Sequence, residues 1–409
     1  MSLFGRLTRG RFGRLLLPAV ILQSVLIGGG YATGREIVAY GARFGGRGWI
    51  AVLGIFLGFT LTAFFTFEVA RRFRSYEYKS FIRHLIGPAW PAFDLLYVVM
   101  ALVIIAVMAS AAAHILEETL GVPSLAGTAT VVVIVGVLSY HGASVIDAFK
   151  SAGTALLYLA YLTFSGLVLA ARHGALSDVF AGGNAGGAIG GTAATLAGGA
   201  ADTAATAVDP NASVAAILGT GILYVGYNLA VYPTALYTLH RQRRRRDTAW
   251  AALIAGVLMT VPFGLTWLCL MTFYPEPAVF DAPVPWLPML RSLGEPWLIG
   301  VFGVVMGWTL VETSVGLIHA LLDRVDADLA RAESGPLADM TGLSSLQSGL
   351  LGAGTLIGAA LLSRVGIIAL VSQAYSYLGY AFIALFAVPL LTVGAWKVLG
   401  GAGPASGAP

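Results

Sequence analysis

The chain has 409 residues, of which 57% are hydrophobic and only 11% are charged. Soluble domains carry about 25% charged residues, so this composition excludes an ordinary soluble domain, a disordered chain and a coiled coil. The net charge of +4 comes from arginines in short segments between apolar runs, which indicates membrane topology and not a nucleic-acid surface. The composition therefore predicts an integral membrane protein in contact with lipid.

The apolar runs are long and continuous, without the alternation typical of membrane β-strands, so they predict helices. About 20 apolar residues cross a bilayer as a helix, and this length criterion gives about ten spans. In chain order, spans 1 to 10 are predicted at residues 15–41, 48–70, 92–116, 125–140, 145–171, 213–239, 249–274, 297–322, 341–362 and 365–396.

The ten spans divide into two halves of five, residues 15–172 and 213–397. A short cytoplasmic segment, residues 1–14, precedes the first half, and a disordered tail, residues 398–409, follows the second. Residues 173–212 between the halves are rich in Gly, Ala and Thr, and we predict that they form a loosely ordered extracytoplasmic loop.

Basic residues concentrate in segments 6–14, 71–83 and 241–246, which an even number of spans places on one side of the membrane. The positive-inside rule identifies that side as the cytoplasm, so we expect an inner-membrane protein with both termini cytoplasmic. Residues 75–87 have an amphipathic pattern and are predicted to lie on the inner membrane surface. Residues 275–296 contain six prolines and predict a stiff outer loop, of the kind that serves as a lid.

Spans 1 and 6 both contain glycine clusters. Span 1 has Gly28, Gly29, Gly30 and Gly34, and span 6 has Gly219-Thr220-Gly221 followed by Tyr224-Val225-Gly226-Tyr227-Asn228. These spans are the first members of the two halves, and interruptions at corresponding positions are the best sequence indication of a transporter site. The alternative interpretation is that the glycines only allow helices to pack closely.

An interrupted helix frees backbone groups that lipid cannot satisfy. The free N–H groups of one half-helix suit a carboxylate, and the free carbonyls of the other suit Na⁺ or an ammonium group. A zwitterionic amino acid would occupy both ends at once. The interruptions therefore favour a small zwitterion or amine as the substrate.

The run IGGGYATGREIVAYGARFGG at residues 27–46, together with the ten spans, resembles the YkvI-like amino-acid permeases. That family is related to the leucine-transporter (LeuT) fold of the amino acid–polyamine–cation superfamily. The resemblance implies an all-α polytopic membrane protein with about ten helices in a 5+5 inverted repeat, helices 1 and 6 being broken. The substrate-binding residues that it implies are Gly28, Gly29, Gly30, Tyr31, Tyr224, Gly226, Tyr227, Asn228 and Ser314.

The same resemblance implies a single Na⁺ site between spans 1 and 8. Thr313 and Ser314 would supply hydroxyl groups, and the carbonyls of Ser24, Ile27 and Leu310 would supply the remaining ligands. Five oxygens without a formal charge would make a weak Na⁺ site.

Two further positions take their expected roles from the resemblance. Tyr227 would close over the substrate, and Arg35 would be an outer-gate arginine. Span 10 lacks the acidic partner of such a gate, since residues 372–380 read SQAYSYLGY. Tyr31 stands where neurotransmitter-type relatives have the asparagine of a second sodium site, so at most one Na⁺ is expected.

Glu312 lies well inside span 8, where a bare carboxylate costs about 2.5–3.5 kcal/mol on insertion scales. We therefore predict that it faces the bundle interior, either as a proton site or as a ligand for a substrate amine. The alternative is a structural hydrogen bond to a neighbouring helix. His319 follows about two turns later on nearly the same face, and the two could form a proton path.

The resulting hypothesis is a secondary active transporter that moves an amino acid or similar small zwitterion or amine by alternating access, with Na⁺ favoured as coupling ion. One alternative is H⁺ coupling through Glu312, and another is a non-transporting ligand sensor on a permease scaffold. No enzyme motif or cofactor motif occurs, which argues against an enzyme. The expected partners are a small-molecule substrate and membrane lipid, without nucleic acid, and no oligomeric state is indicated.

Overall fold

The computed structural model describes residues 10–26, 31, 33–141, 143–180, 208–329 and 343–400. Throughout these ranges the chain is helical or irregular and contains no β-strand. Seven of the described helices are long and apolar enough to cross a membrane, and three shorter apolar helices lie within the predicted spans 1, 4 and 5. The chain is therefore an all-α polytopic membrane protein, as its composition predicts.

The helix bounds follow the predicted spans closely. Spans 1 and 6 each have two parts: Leu17–Leu26 and Arg35–Tyr40 in span 1, and the α-helix Val214–Asn228 followed by the 3₁₀-helix Leu229–Arg241 in span 6. The other spans are Trp49–Phe73, Trp90–Leu120, Ser124–His141, Ala143–Ala171, Arg245–Met271, Pro296–Leu329, Ser345–Ser363 and Ile367–Leu399.

Shorter helices connect the spans. They are Arg11–Leu15, Ala42–Gly48, Tyr78–Ile86, Gly87–Ala89, His173–Phe180, Pro277–Phe280 and Trp286–Arg291. The predicted loop 173–212 thus begins with a helix, and its residues 181–207 lie outside the described part of the chain. Span 10 is an α-helix interrupted by three π-helical turns at residues 370–374, 383–387 and 390–394.

The amphipathic segment forms the helix Tyr78–Ile86, and the apolar residues that predict it face the protein. Phe81, Ile82 and Leu85 are buried, and the Phe81 ring lies 6.0 Å from that of Phe386 in span 10. The helix therefore packs its apolar face against the bundle. This differs from the prediction of a membrane-surface helix, which would insert that face into lipid.

The spans pack in two groups. Spans 1, 2, 6 and 7 pack mainly on one another, and span 6 also packs along span 10. Spans 3, 4, 8 and 9 form the second group, with span 5 packed on span 8. Close van der Waals packing between the helices holds each group together, and the candidate site lies where the two groups meet.

Candidate substrate site

A cavity of about 40 Å³ lies between the two groups of spans. Spans 1, 3, 6, 8 and 10 all contribute to its wall, so it is in contact with both groups. Its lining residues are Val25, Leu26, Glu36, Met100, Ile104, Tyr227, Asn228, Ala230, Val231, Thr313, Leu317 and Tyr375.

Three of the residues predicted for substrate or ion binding line this cavity: Tyr227, Asn228 and Thr313. Tyr227 and Asn228 end the α-helical part of span 6, where the chain continues as a 3₁₀-helix from Leu229. The interruption of span 6 is therefore a change of helix type directly after the predicted segment. Because a 3₁₀-helix has three residues per turn, this change rotates the following side chains relative to an α-helix.

Tyr31 and Tyr224 belong to a buried aromatic cluster beside the cavity. The Tyr31 hydroxyl donates to the carbonyl oxygen of Met259 at 2.6 Å, which ties span 1 to span 7. The Tyr224 ring lies 6.3 Å from that of Tyr31, 5.3 Å from that of Tyr227 and 4.9 Å from that of Phe263. Both tyrosines therefore pack behind the cavity wall and do not themselves line it.

Gly226 packs against span 10. A Cβ atom at this position would lie 2.7 Å from Ile383 Cγ1 and 3.0 Å from the Gly379 carbonyl oxygen. Gly221, one and a half turns earlier, would place a Cβ 3.0 Å from the Ala51 carbonyl oxygen of span 2. For these two glycines the packing interpretation fits the structure, while Gly28, Gly29 and Gly30 lie outside the described residues.

One hydroxyl group predicted for the sodium site bonds within its own helix: Ser314 donates to the carbonyl of Leu310, itself a predicted ligand, at 2.8 Å. Of the predicted ligands only Thr313 lines the cavity, and Ile27 lies outside the described part of the chain. The Na⁺ site stays a prediction, and the bond that Ser314 donates leaves the lone pairs of its hydroxyl oxygen for a cation.

The carboxylate at the cavity is Glu36, a residue that the sequence analysis does not single out. Its side chain is 2% exposed, and it accepts a hydrogen bond from the Tyr227 hydroxyl. Glu36 follows the glycine-rich run by two residues, in the second helix of span 1. An acidic residue inside a predicted span was the signal that could have identified it, as it identified Glu312.

Glu312 itself is partly exposed and is not among the residues that line the cavity. Its neighbour Thr313 lines the cavity, and successive helical residues point about 100° apart. His319, on nearly the same face as Glu312, has a buried Nε2 atom without a hydrogen-bond partner among the described residues. Glu312 is therefore not part of this cavity's wall, and its role as a proton site or a ligand for a substrate amine stays a prediction.

Arg35 holds the loop 275–296, which we call the lid, against span 1. Its Nη1 atom donates to the carbonyl oxygens of Phe280 at 2.5 Å and Ala282 at 3.2 Å, and the side chain is fully buried. The gate arginine predicted from the sequence thus binds the backbone of the lid, which supplies the acceptors that span 10 lacks. Its Nε and Nη2 atoms have no acceptor within the described residues.

Trp286 is a buried tryptophan of the lid itself. It is 1% exposed, and its ring lies 5.7 Å from that of Tyr161 in an edge-to-face arrangement. Gly34 allows this approach, because a Cβ there would lie 3.2 Å from Trp286 Cδ1. Gly34 also has φ +79°, a conformation that favours glycine, and it marks the turn between the two helices of span 1.

A polar network closes the opposite end of the first group of spans. Glu68 accepts hydrogen bonds from Arg71 Nη2 at 2.6 Å and from the Thr248 hydroxyl at 2.7 Å, and it is almost fully buried. Asp247, at the start of span 7, lies 3.9 Å from Arg14. These pairs connect the N-terminal helix with spans 2 and 7 at the arginine-rich end of the molecule.

No protein family model matches this sequence, and no curated protein sequence matches it. Solved structures with a similar fold include a substrate-bound, outward-open Na⁺-coupled sialic acid symporter, at 13% identity and a TM-score of 0.47 over 95% of this chain and 89% of that chain. A manganese transporter of Eremococcus coleocola is similar at 14% identity and a TM-score of 0.43, over 98% and 90% of the two chains. At these values the similarity assigns neither a substrate nor a coupling ion to this chain.

Proposed function

We propose that the chain is a secondary active transporter that carries a small amino acid or amine by alternating access. The observation that supports this most directly is the buried carboxylate of Glu36 in a cavity between the two-part spans 1 and 6. Ionisable residues inside membrane spans are costly and mark substrate or ion pathways. Two-part helices at a site deep in the bundle are typical of secondary transporters.

The closure at the lid favours a carrier over a channel. Arg35 and Trp286 are both buried and hold the lid against spans 1 and 5, so we expect that access from that side requires the lid to move. Arg35 binds neutral carbonyls, and such bonds are weaker than the paired bonds that an arginine makes with a carboxylate. A lid held in this way closes the site and still opens at moderate cost.

The orientation and the coupling ion are parts of the same proposal. The arginine-rich end with residues 241–246 faces the cytoplasm under the positive-inside rule, which places both termini there and the lid outside. The resemblance to YkvI-like permeases supports amino-acid transport and favours Na⁺, with Thr313 and Ser314 among its ligands. H⁺ coupling is the second candidate, and the placement of Glu36 at the cavity supports it.

Reconstituted protein tests the transport proposal. Proteoliposomes containing the purified chain are expected to accumulate one or more radiolabelled amino acids or amines when an inward Na⁺ gradient, an H⁺ gradient or both are imposed. If Na⁺ couples transport, the Thr313→Ala/Ser314→Ala double variant loses the Na⁺ dependence. If H⁺ couples it, uptake follows the pH gradient in choline medium and the double variant behaves as the wild type.

The control is liposomes without protein, together with an ionophore that collapses each gradient. Binding of a ligand without uptake or counterflow under any gradient would contradict transport and favour the ligand sensor. Equal uptake with and without gradients would contradict secondary active transport.

A further inference from the structure

Glu36 has no cation beside it among the described residues. Its one hydrogen-bond partner there is the Tyr227 hydroxyl, and the adjacent Arg35 directs its guanidinium group to the lid carbonyls. A buried carboxylate without a counter-charge is strongly unfavourable, and it either holds a proton or binds a cation. Among the described residues, the titratable groups that interact electrostatically with Glu36 are tyrosines: Tyr31, Tyr40, Tyr224, Tyr227 and Tyr375.

The surroundings of Glu36 fit an ammonium group. The Tyr227 ring lies 5.5 Å from that of Tyr40 and 4.7 Å from that of Tyr375, so the tyrosine that binds the carboxylate belongs to an aromatic cluster, and Tyr227 and Tyr375 both line the cavity. Aromatic faces attract ammonium cations, with a larger gain where water is excluded. Small hard cations such as Na⁺ instead need several oxygen ligands in place of their water.

Acceptors are also present for the remaining protons of an ammonium group. The Asn228 side chain uses its amide nitrogen to donate to the Tyr224 carbonyl at 2.8 Å, which leaves its amide oxygen as an acceptor at the cavity. Thr313, a hydroxyl-bearing residue of span 8, also lines the cavity. With Glu36, these residues offer three oxygen acceptors, and a primary ammonium has three N–H donors.

We propose that Glu36 binds the protonated amino group of the substrate, with Asn228 and Thr313 as further acceptors and the tyrosine rings as the surrounding wall. This inference rests on the proposed transport function and specifies its substrate class: compounds with a primary amine. The cavity of about 40 Å³ holds about three water molecules at most, so it accommodates the ammonium end, and the rest of the substrate requires the site to widen.

Binding then exchanges one proton. The empty site holds the neutral carboxyl, and the arriving ammonium cation takes the place of its proton, which leaves to solution. For a simple amine the charge at the site is zero before and after, whereas an amino acid also brings the single negative charge of its own carboxylate. Because protons compete with the amine for Glu36, the affinity should fall as the pH is lowered, in a range where the amine itself stays protonated.

Direct binding to the purified full-length chain tests the proposal. The probes are the standard amino acids, with the decarboxylated amine and the deaminated acid of each one that binds. We expect the amine to retain binding and the deaminated acid to lose it. Glu36→Gln keeps the shape and the hydrogen bond from Tyr227 but removes the charge, and it should weaken binding by at least about 30-fold, the lower end of the effect of truncating a buried charge pair.

Glu117→Gln is the matched control, because Glu117 is an exposed carboxylate at the end of span 3. It should bind as the wild type does. Calorimetry in buffers of different ionisation enthalpy should count about one proton released per ligand in the wild type and in the control, following the exchange at a single carboxyl. If Glu36→Gln fails to fold, Glu36→Asp retains the charge and should retain proton release with reduced affinity.

Three results would overturn the inference: a deaminated acid that binds as well as its amino acid, a folded Glu36→Gln variant with unchanged affinity, or no binding by any probe. These results are distinguishable from failure of the transport proposal. Amine binding that depends on Glu36 without uptake in proteoliposomes would support the ammonium site and contradict transport. Uptake that does not depend on Glu36 would support transport and contradict the ammonium site.

Discussion

At the scale of single residues, Gly34 has two roles: it adopts the backbone conformation before the second helix of span 1, and it leaves room for Trp286 of the lid. Its positive φ lets span 1 turn between its two helices, and its missing side chain admits Trp286 of the lid. Arg35 and Glu36 follow directly, one directed to the lid and one to the cavity. Movement of the short helix Arg35–Tyr40 would therefore affect the lid and the cavity together.

Gly34→Ala should destabilise the protein more than Gly294→Ala does. Gly294 has φ +77° but nothing within 4 Å of an added Cβ, so alanine there adds only backbone strain, about 1–2 kcal/mol. Gly34→Ala adds the same strain and the contact with Trp286. Thermal unfolding in detergent measures both, and equal losses in the two variants would show that the Trp286 contact contributes nothing.

At the scale of helices, small residues let span 6 lie close to spans 2 and 10. Gly226 and Gly379 face each other across the contact between spans 6 and 10, and each would place a Cβ within about 3 Å of the other helix. The close contact positions Tyr227 beside Tyr375, which lies at the start of the α-helical part of span 10. Helix packing thus sets one wall of the candidate site.

Gly226→Ala should lower the free energy of unfolding by about 1–3 kcal/mol, as overpacking of a tight contact does. Gly219→Ala, in the same helix, is the matched control, because a Cβ there meets nothing within 4 Å. The control should be neutral or slightly stabilising, since alanine favours the helix. Chaotrope-induced unfolding, followed by circular dichroism, measures the two variants, and a neutral Gly226→Ala would contradict the tight packing.

At the scale of the whole molecule, the cavity lies between two groups of spans, and the lid crosses from one group to the other. The lid follows span 7 of the first group and precedes span 8 of the second. Its contacts are with span 1 through Arg35 and with Tyr161 of span 5 through Trp286. Relative movement of the two groups must therefore break contacts of the lid.

Trp286→Ala should open the lid side of the site. Cysteine introduced at Asn228 reports access to the cavity, because the native Cys269 is buried. Labelling of this cysteine by a membrane-impermeant thiol reagent from the lid side should rise several-fold when Trp286 is replaced. Trp297→Ala removes an exposed tryptophan at the start of span 8 and is the control. Equal labelling rates in the two variants would show that Trp286 does not close the site.

Much of the fold could be predicted because the bilayer requires long apolar helices, and such runs are visible without tertiary information. The structure has helices at all ten predicted positions, and the two glycine-rich spans have two parts. The amphipathic helix Tyr78–Ile86 was likewise visible in its periodicity. Helix length and helix amphipathicity are local properties, so the sequence determined them by itself.

The site depended on tertiary structure. Glu36 and Glu312 are both acidic residues at least five residues from either end of a predicted span, and the sequence alone does not distinguish them. Only the rotation and packing of spans 1, 3, 6, 8 and 10 brings Glu36 to the cavity beside Tyr227 and leaves Glu312 off its wall. Arg35 binds Phe280 of the lid, which is 245 residues away in the chain. The acceptor there is a backbone carbonyl, and a pattern of side chains in the sequence cannot predict such an acceptor. Contacts between distant residues and hydrogen bonds to backbone acceptors form only when the helices pack together. For that reason the sequence alone determined the spans, and the tertiary structure decided the site.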